Sequence, residues 1–243
     1  AQLAGAKAEA ERANRGKSRF LAAVSHDLAQ PLNAAHLFVH ALAPRLEHGP
    51  HREALANIDG ALVSAEGLLA GLLDISRLDA GGMEPKPQAF AIDDLLGHLA
   101  AEFGVLAEQK GLVLERVPTG AWVFTDPQLL RRVLQNFLAN AVRYTQRGGV
   151  LIAVRRRGDQ LRIEVRDSGP GIPDEALEMI FEEFYQLQNP ARARGQGLGL
   201  GLAIVRRLVG LLGHEVTVRS RTGAGSVFAI EVPRAAPAPA DAN

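Results

Sequence analysis

The segment from Ser25 to Leu32, SHDLAQPL, sets a histidine beside an acid, with a glutamine one helical turn on and a proline next to it. A neutral imidazole nitrogen is a good nucleophile near neutral pH, because the ordinary histidine pKa is about 6.5. As a bond forms at one ring nitrogen, the proton on the other becomes acidic, and an adjacent carboxylate can accept that hydrogen bond. The flanking apolar residues fix the direction of the side chains. Phe20, Leu21, Val24, Leu28 and Leu32 recur at helical spacing and predict a core-facing stripe. His26 stands two residues from both Val24 and Leu28, roughly 200° around the helix from each, and so points to solvent. Gln30 and Asn33 share its face. Pro31 cannot donate to the carbonyl of Asp27, which predicts a bend just past the histidine. A surface histidine on an amphipathic helix accounts for the same pattern, so this segment alone leaves both readings open.

A second group of residues lies about one hundred positions on. In VLQNFLANAVRYT, Asn136 and Asn140 are one turn apart on a helix; DSGPG follows with Asp167, Gly169 and Gly171. Next come GQGLGLGLAIV, with Gly195, Gly197, Gly199 and Gly201, and GAGSVF, with Gly223, Gly225 and Ser226. Asparagine carbonyl oxygens suit a magnesium ion, which takes oxygen ligands in an octahedron. A strand-end carboxylate can accept a hydrogen bond from an amino group, and backbone amides at a helix start bind phosphate. The glycine run at 195–201 is not a P-loop, since no Gly-Lys-Ser/Thr follows. The dinucleotide pattern read from Gly195 would need glycine where Leu200 stands. Taken singly, two solvent-facing asparagines and an aspartate in a turn are adequate accounts.

Taken in order and spacing, these segments resemble the ATP-binding domain of sensor histidine kinases, and SHDLAQPL resembles the phospho-acceptor box of their dimerisation domain. The two resemblances span roughly residues 17–233. They imply that His26 accepts the γ-phosphoryl group of ATP, that Asp27 takes the hydrogen bond of the other ring nitrogen, and that Gln30 orients a water that hydrolyses the partner's phospho-aspartate. They imply Asn140 as the magnesium ligand, Asn136 at the phosphates, and Arg143 and Tyr144 at phosphate and base or ribose. Asp167 would read the adenine amino group, with Gly169 and Gly171 letting the backbone approach. Gly197, Gly199, Gly201, Leu202 and Ser226 complete the implied nucleotide contacts. Residues 186–196 would be a lid carrying Arg192 and Arg194, for which solvated arginines are an equal reading. FEEFYQ resembles the family's aromatic box, although core packing is the simpler account of Phe181 and Phe184.

The elements that must position these groups are legible in outline. The chain has 243 residues, 47% of them hydrophobic, with 27 basic and 27 acidic side chains and no cysteine. That balance gives no long-range field favouring nucleic acid or an anionic membrane. Lack of cysteine excludes disulfides and thiolate chemistry and suits the cytosol. No apolar run approaches the ~20 residues of a membrane helix. Leu55, Ile58, Leu62, Ala65, Leu69 and Leu72 form a heptad seam. Two helices with such narrow stripes bury them poorly as one hairpin, and pairing two hairpins into a four-helix bundle resolves this, so a homodimer is expected. His36 and His40 are one turn apart, but no third metal ligand is evident.

Beyond a Gly- and Pro-containing linker at 79–88, a helix is expected from Ile92 to Gln109, strands at LVLERV and WVF, and a helix opened by Asp126-Pro127. A hairpin around Gly158-Asp159 and two strands joined by a glycine turn follow. A sheet covered by helices is the natural assembly. The expected fold is therefore α+β: a helical hairpin forming a dimeric bundle, then an α/β-sandwich ATP-binding domain with a mixed sheet. The expected boundaries are 1–16 for the end of a signalling helix, 17–80 for dimerisation and phosphotransfer, 81–89 for the linker, 90–234 for the ATP-binding domain and 235–243 for a disordered tail. The chain lacks an initial methionine and ends in an Ala/Pro-rich tail, and so reads as an excised fragment. The resemblance implies a cytoplasmic kinase core that uses ATP and Mg2+. Its partner would be a response-regulator receiver domain, in trans or following in the same chain as in hybrid kinases. Two rivals are an ATP-driven conformational machine of the gyrase B, MutL and chaperone kind, and a degenerate kinase acting as phosphatase or scaffold.

Overall fold

A computed structural model describes residues 83–187 and 199–237 throughout, together with individual positions between 28 and 78. The chain divides into two compact units, residues 1–84 with 183–204 and residues 85–182 with 205–243.

In the first unit every described position of 28–42 and of 51–78 is helical. Leu55, Leu62, Ala65 and Leu69 of the heptad seam are half-buried, and His36 Nε2 lies 3.1 Å from Asp59 Oδ1, an ion pair when the histidine is protonated. Leu28, expected to face a core, is 48% exposed, and Leu37 and Phe38 are exposed by 71% and 70%. The physical reason is the one the stripes suggest: a single hairpin has too little surface to cover them.

The second unit is built on a seven-stranded mixed sheet of order β1-β3-β7-β5-β4-β2, with β6 pairing β7. The strands are β1 (Gln88–Ala91), β2 (Val113–Arg116), β3 (Trp122–Thr125), β4 (Gly149–Arg157), β5 (Gln160–Asp167), β6 (Glu215–Arg221) and β7 (Gly225–Ala235). The helices are α1 (Ile92–Gln109), α2 (Pro127–Tyr144) and, from residue 205 on, α3 (Gly201–Leu212). Strands β4 and β5 form the expected hairpin, with Arg157 opposite Gln160 and Gly158 at φ 58° in the two-residue turn. Strand β2 joins β4 in parallel. The first strand begins at Gln88, inside the segment read as a linker, and pairs Phe90 with Val123 of β3. Four residues give too short a pattern to announce a strand; only the partner 30 residues away makes it one.

Alternation along β5 separates two faces. Leu161, Ile163 and Val165 are buried on the face that meets α2, where Phe137 of the helix and Phe228 of β7 stack with ring centroids 5.5 Å apart. The intervening residues carry charge. Arg162 Nε donates to Glu164 Oε1 at 2.8 Å, Arg162 Nη1 to Glu231 Oε1 at 3.1 Å, and Arg166 Nη2 to Glu164 Oε2 at 2.5 Å. Burial pushes the Glu164 carboxyl up, but the hydrogen bonds from Arg166 and Arg162, with the charges of Arg166 and Arg155, outweigh it and hold the carboxyl below its ordinary range. Paired guanidinium and carboxylate groups thus let a nominally exposed sheet face bury its central charges.

Both ends of α2 are fixed. Asp126 is the N-cap: its Oδ1 accepts from Gln128 N and Leu129 N at 2.9 and 3.0 Å, and its Oδ2 accepts from Lys86 N at 2.7 Å. Lys110 closes the other end, donating from Nζ to the carbonyls of Val142 and Arg143 at 2.9 and 3.0 Å. These are among the carbonyls that a helix end leaves without an intrahelical donor. Asp126→Ala is expected to cost about 1–2 kcal/mol, the upper part of the range for an N-cap loss, because a third N–H loses its acceptor as well. Urea unfolding that shows a change below about 0.5 kcal/mol would contradict this account of the cap.

Candidate functional site

The site in the second unit starts from the end of β5. Asp167 continues the helix-facing series of that strand, but there the strand ends and no apolar layer seals it, so the side chain is only partly buried. Its Oδ1 accepts from Gly169 N at 2.8 Å, and the backbone of Ser226 also hydrogen-bonds to the carboxylate. Burial nevertheless pushes the Asp167 carboxyl above its ordinary range, against the opposing pull of those two bonds. The result is an acceptor-only group that gains from a further donor.

Two glycines around it are required by geometry. Gly171 has φ 71°, and a Cβ there would lie 2.1 Å from the carbonyl oxygen of Arg221. Gly225 has φ 97°, and a Cβ there would lie 1.9 Å from the carbonyl oxygen of Asp167. Both positions combine left-handed backbone with close approach of a second chain segment. Ser226 pairs with Asp167 across β5 and β7 and is buried. Ser220 organises this corner: its Oγ accepts from Ile172 N at 2.8 Å and donates to Gly225 O at 3.0 Å. With its one hydrogen used, Ser220 Oγ accepts from Ser226 Oγ, 2.9 Å away. Ser220 carried no signal in the sequence, being one small polar residue in an alternating strand.

Helix α2 supplies the amides. Asn136 Nδ2 donates to Arg132 O at 2.8 Å, which leaves its Oδ1 as the free end of the side chain. Asn140, one turn on, is half-buried, and its amide has no hydrogen-bond partner among the described residues. Arg143 and Tyr144 are exposed on the last turn. The turn after β5 reaches this helix end, since a Cβ at Gly169 would lie 2.7 Å from Asp167 Oδ1, 3.5 Å from Tyr144 O and 3.4 Å from Thr145 Oγ1. Thr145, the C-cap of α2, is 1% exposed, and its hydroxyl has no partner among the described residues. It too went unread in the sequence, because a threonine after a helix is ordinarily just a helix stop. Among the described residues no three His, Cys, Asp or Glu side chains gather as metal ligands.

Asn136, Asn140, Arg143, Tyr144, Asp167, Gly169, Gly171 and Ser226 thus share the second unit. Gly199, Gly201 and Leu202 belong to the first. Gly199, at φ 70°, accepts from Phe184 N at 3.1 Å, Gly201 opens α3 and Leu202 is half-buried. Phe184 corrects the core-packing expectation: it has φ 62° and is 59% exposed, its backbone held in the turn by Gly199 rather than by its ring. Phe181 is half-buried. His26, Asp27, Gln30 and Gly197, with lid residues Arg192 and Arg194, lie outside the described residues.

A helix-backed mixed sheet with a strand-end carboxylate, a glycine turn and an amide-bearing helix defines an ATPase-type α/β sandwich, and residues 125–236 match the family described as histidine kinase-, DNA gyrase B- and HSP90-like ATPase. Residues 16–81 match the His kinase A (phospho-acceptor) domain. The chain belongs to the sensor histidine kinases and comprises their catalytic core. It is 34% identical over 240 residues to an uncharacterized sensor-like histidine kinase of Rhizobium meliloti (strain 1021), covering 96% of this chain and 46% of that one. It is 33% identical over 232 residues to the sensor histidine kinase RcsC of Escherichia coli (strain K12), covering 92% and 24%. The crystal structure of full-length ShkA in complex with AMPPNP aligns at a TM-score of 0.73 with 31% identity, covering 92% of this chain and 48% of that one. The chain therefore spans less than half the length of these relatives.

Gly225→Ala is expected to destabilise the second unit by more than about 2 kcal/mol, since it adds a left-handed alanine to a backbone clash beside Asp167. An unchanged melting temperature would show that β5 and β7 separate there at little cost.

Proposed function

We propose that this core binds Mg-ATP at the Asp167 site and transfers the γ-phosphoryl group to His26, from which an aspartate of a response-regulator receiver takes it. What carries this reading is the pairing, on one chain, of a phospho-acceptor match that includes His26 with a nucleotide-type site around a partly buried carboxylate. The acceptor match also separates it from the gyrase B and chaperone class, which shares only the ATPase half. In domain terms, 17–80 is the dimerisation and phosphotransfer domain, and the ATP-binding domain runs to 234 from β1, whose start at Gln88 leaves 81–87 as the linker. A homodimer is supported by the exposed Leu28, Leu37, Phe38, Leu42 and Ile58 of the helical unit. Among the described residues no helix is long and apolar enough to cross a membrane. We place the core in the cytoplasm, where ATP is available.

In this reading Asp167 accepts a hydrogen bond from the exocyclic amine of adenine, and the close backbone at Gly169 and Gly171 admits the base. Asn140 holds magnesium through its amide oxygen, with Asn136 and Arg143 at the phosphates, Tyr144 beside base or ribose, and Gly197, Gly199, Gly201, Leu202 and Ser226 completing the contacts. Magnesium supplies neutralisation of the phosphate oxygens on which charge gathers during transfer. The neutral Nε2 of His26 forms the bond to the γ-phosphorus as the bond to the leaving ADP oxygen breaks. The Nδ1 proton stays on the ring, hydrogen-bonded to the Asp27 carboxylate, which stabilises the developing positive charge. Gln30, one turn along the same face, can both donate to and accept from a water attacking the receiver's phospho-aspartate.

The central test is incubation of the chain with labelled ATP. Acid-labile, alkali-stable phosphate is expected on the wild type and none on His26→Gln, with ATP binding intact. Label persisting on His26→Gln would move the acceptor elsewhere, and no label on the wild type would favour a degenerate kinase.

Asp167→Asn tests the base contact. Loss of a charged acceptor at a partly buried site is expected to weaken ATP binding roughly tenfold to a hundredfold. The folded carboxyl titrates above the unfolded one, so between those two values the folded state holds more protons, and stability falls as pH rises through that window. Asparagine carries no charge to desolvate, so at neutral pH the variant should melt no lower than wild type. A large drop in melting temperature would assign Asp167 to the fold rather than to the nucleotide.

A further inference from the structure

Helix α2 ends in two polar groups for which the site so far has no use. Tyr144 is its last residue, so its carbonyl is among those a helix end leaves without an intrahelical donor. Lys110 satisfies the carbonyls of Val142 and Arg143, and Thr145 N that of Ala141, at 3.1 Å. The neighbouring Thr145 hydroxyl is more than nine-tenths buried and unpartnered among the described residues. A buried hydroxyl left unpaired loses its hydration without compensation, so its retention calls for a partner.

The position of that hydroxyl indicates the partner. Thr145 Oγ1, Tyr144 O and Asp167 Oδ1 all lie within 3.5 Å of the point where a side chain at Gly169 would begin. One donor-acceptor and two acceptors therefore converge on the position that a side chain at Gly169 would take. A water molecule matches this set: it accepts from the threonine hydroxyl and donates to the helix carbonyl and to the carboxylate, three bonds of the kind buried waters make. Gly169 is needed for room as well as for its N–H, since a Cβ there would press on Asp167 Oδ1 at 2.7 Å.

We propose that Thr145 is a positioning residue for base recognition, its buried hydroxyl holding one ordered water between Tyr144 O and Asp167 Oδ1 and so fixing the carboxylate that reads the exocyclic amine of adenine. The proposal rests on the nucleotide reading of Asp167 given above. Thr145 itself touches no reacting atom. It sets the orientation of Asp167, and through it the preference for a purine with an amine at the ring position that Asp167 faces.

The test uses the full chain, with Thr145→Val, which keeps the shape and removes the hydroxyl, Thr145→Ser, which keeps the hydroxyl, and Asp167→Asn. Autophosphorylation is measured with ATP and with inosine triphosphate, which has a carbonyl in place of the amine. Thr145→Val should raise the KM for ATP about tenfold, the scale of one lost hydrogen bond, with kcat unchanged. The KM for inosine triphosphate should move by less than about twofold, so the preference for ATP collapses. With one stabilising bond removed from the carboxylate, the acidic limb of ATP binding should move to higher pH. Thr145→Ser should restore both the preference and the pH profile. If Thr145→Val leaves the ATP preference intact, or lowers both nucleotides equally without rescue by serine, while Asp167→Asn abolishes the preference, the water bridge is wrong and the base contact stands. If Asp167→Asn also leaves the preference intact, the reading of Asp167 fails and the role of Thr145 falls with it.

Discussion

The second unit is organised around the alignment of β5 with β7, which sets Asp167, a carboxylate whose two backbone hydrogen bonds only partly offset its burial, opposite Ser226. Asp167 receives one from Gly169, two residues on, and the other from Ser226, far along the chain in β7. The first bond shapes the turn after β5, and the second exists only if β5 and β7 pair in the observed register, Asp167 opposite Ser226. A slip of one residue would move Asp167 to the charged face and bring the buried series Leu161, Ile163 and Val165 with it. The apolar core beneath the sheet and the polar group at its rim are thus set by the same alignment. Gly225 and Gly171 follow from it, since each allows one backbone segment to pass closely behind the carboxylate or its turn.

That register is defended from both sides of the sheet. On one side the stacked Phe137 and Phe228 and the buried aliphatic rows favour it through area removed from water. On the other, Arg162 reaches Glu164 along its own strand and Glu231 across to β7. A shifted β7 would leave Arg162 buried without its second carboxylate, and an unpaired buried charge costs several kcal/mol. The apolar side supplies most of the driving force, and the ionic side penalises alternatives.

Local signals made much of this architecture legible. Periodicity fixed α1 at Ile92–Gln109, and an aspartate followed by proline marked the start of α2 at 126–127, because caps and amphipathic spacing act within a few residues. Gly158-Asp159 marked the hairpin for the same reason. Strand β1, the Lys110 cap and the Ser220 corner stayed hidden because their partners are 30 or more residues away or sit on another strand, and nothing in their own neighbourhood distinguishes them. Phe184 illustrates the opposite error: an aromatic residue suggested a core, while its left-handed backbone turns the ring outward. Around Asp167, residue types alone singled out the asparagines, the aspartate and the glycines for the nucleotide reading. Thr145 needed three dimensions, since Asp167 and Gly169, which the fold brings to its hydroxyl, lie 22 or more residues later in the chain.

Strand β7 spans 11 residues at the middle of the sheet, yet it is the last of the described strands in sequence. Without it the remaining pairings are two unconnected strips, β4 with β5 and β2, and β1 with β3, while β6 has no partner strand. Neither strip has its neighbour, and each presents an open edge of unpaired amides and carbonyls. Insertion of β7 joins them through long-range pairings, the kind that form slowly because distant segments must first meet. During that interval the chain is most exposed to aggregation and proteases. Since β7 also supplies a backbone hydrogen bond to Asp167, the site cannot be assembled before the sheet is joined. The surroundings of Asp167 are therefore completed only when the strand made last among those described has joined the sheet.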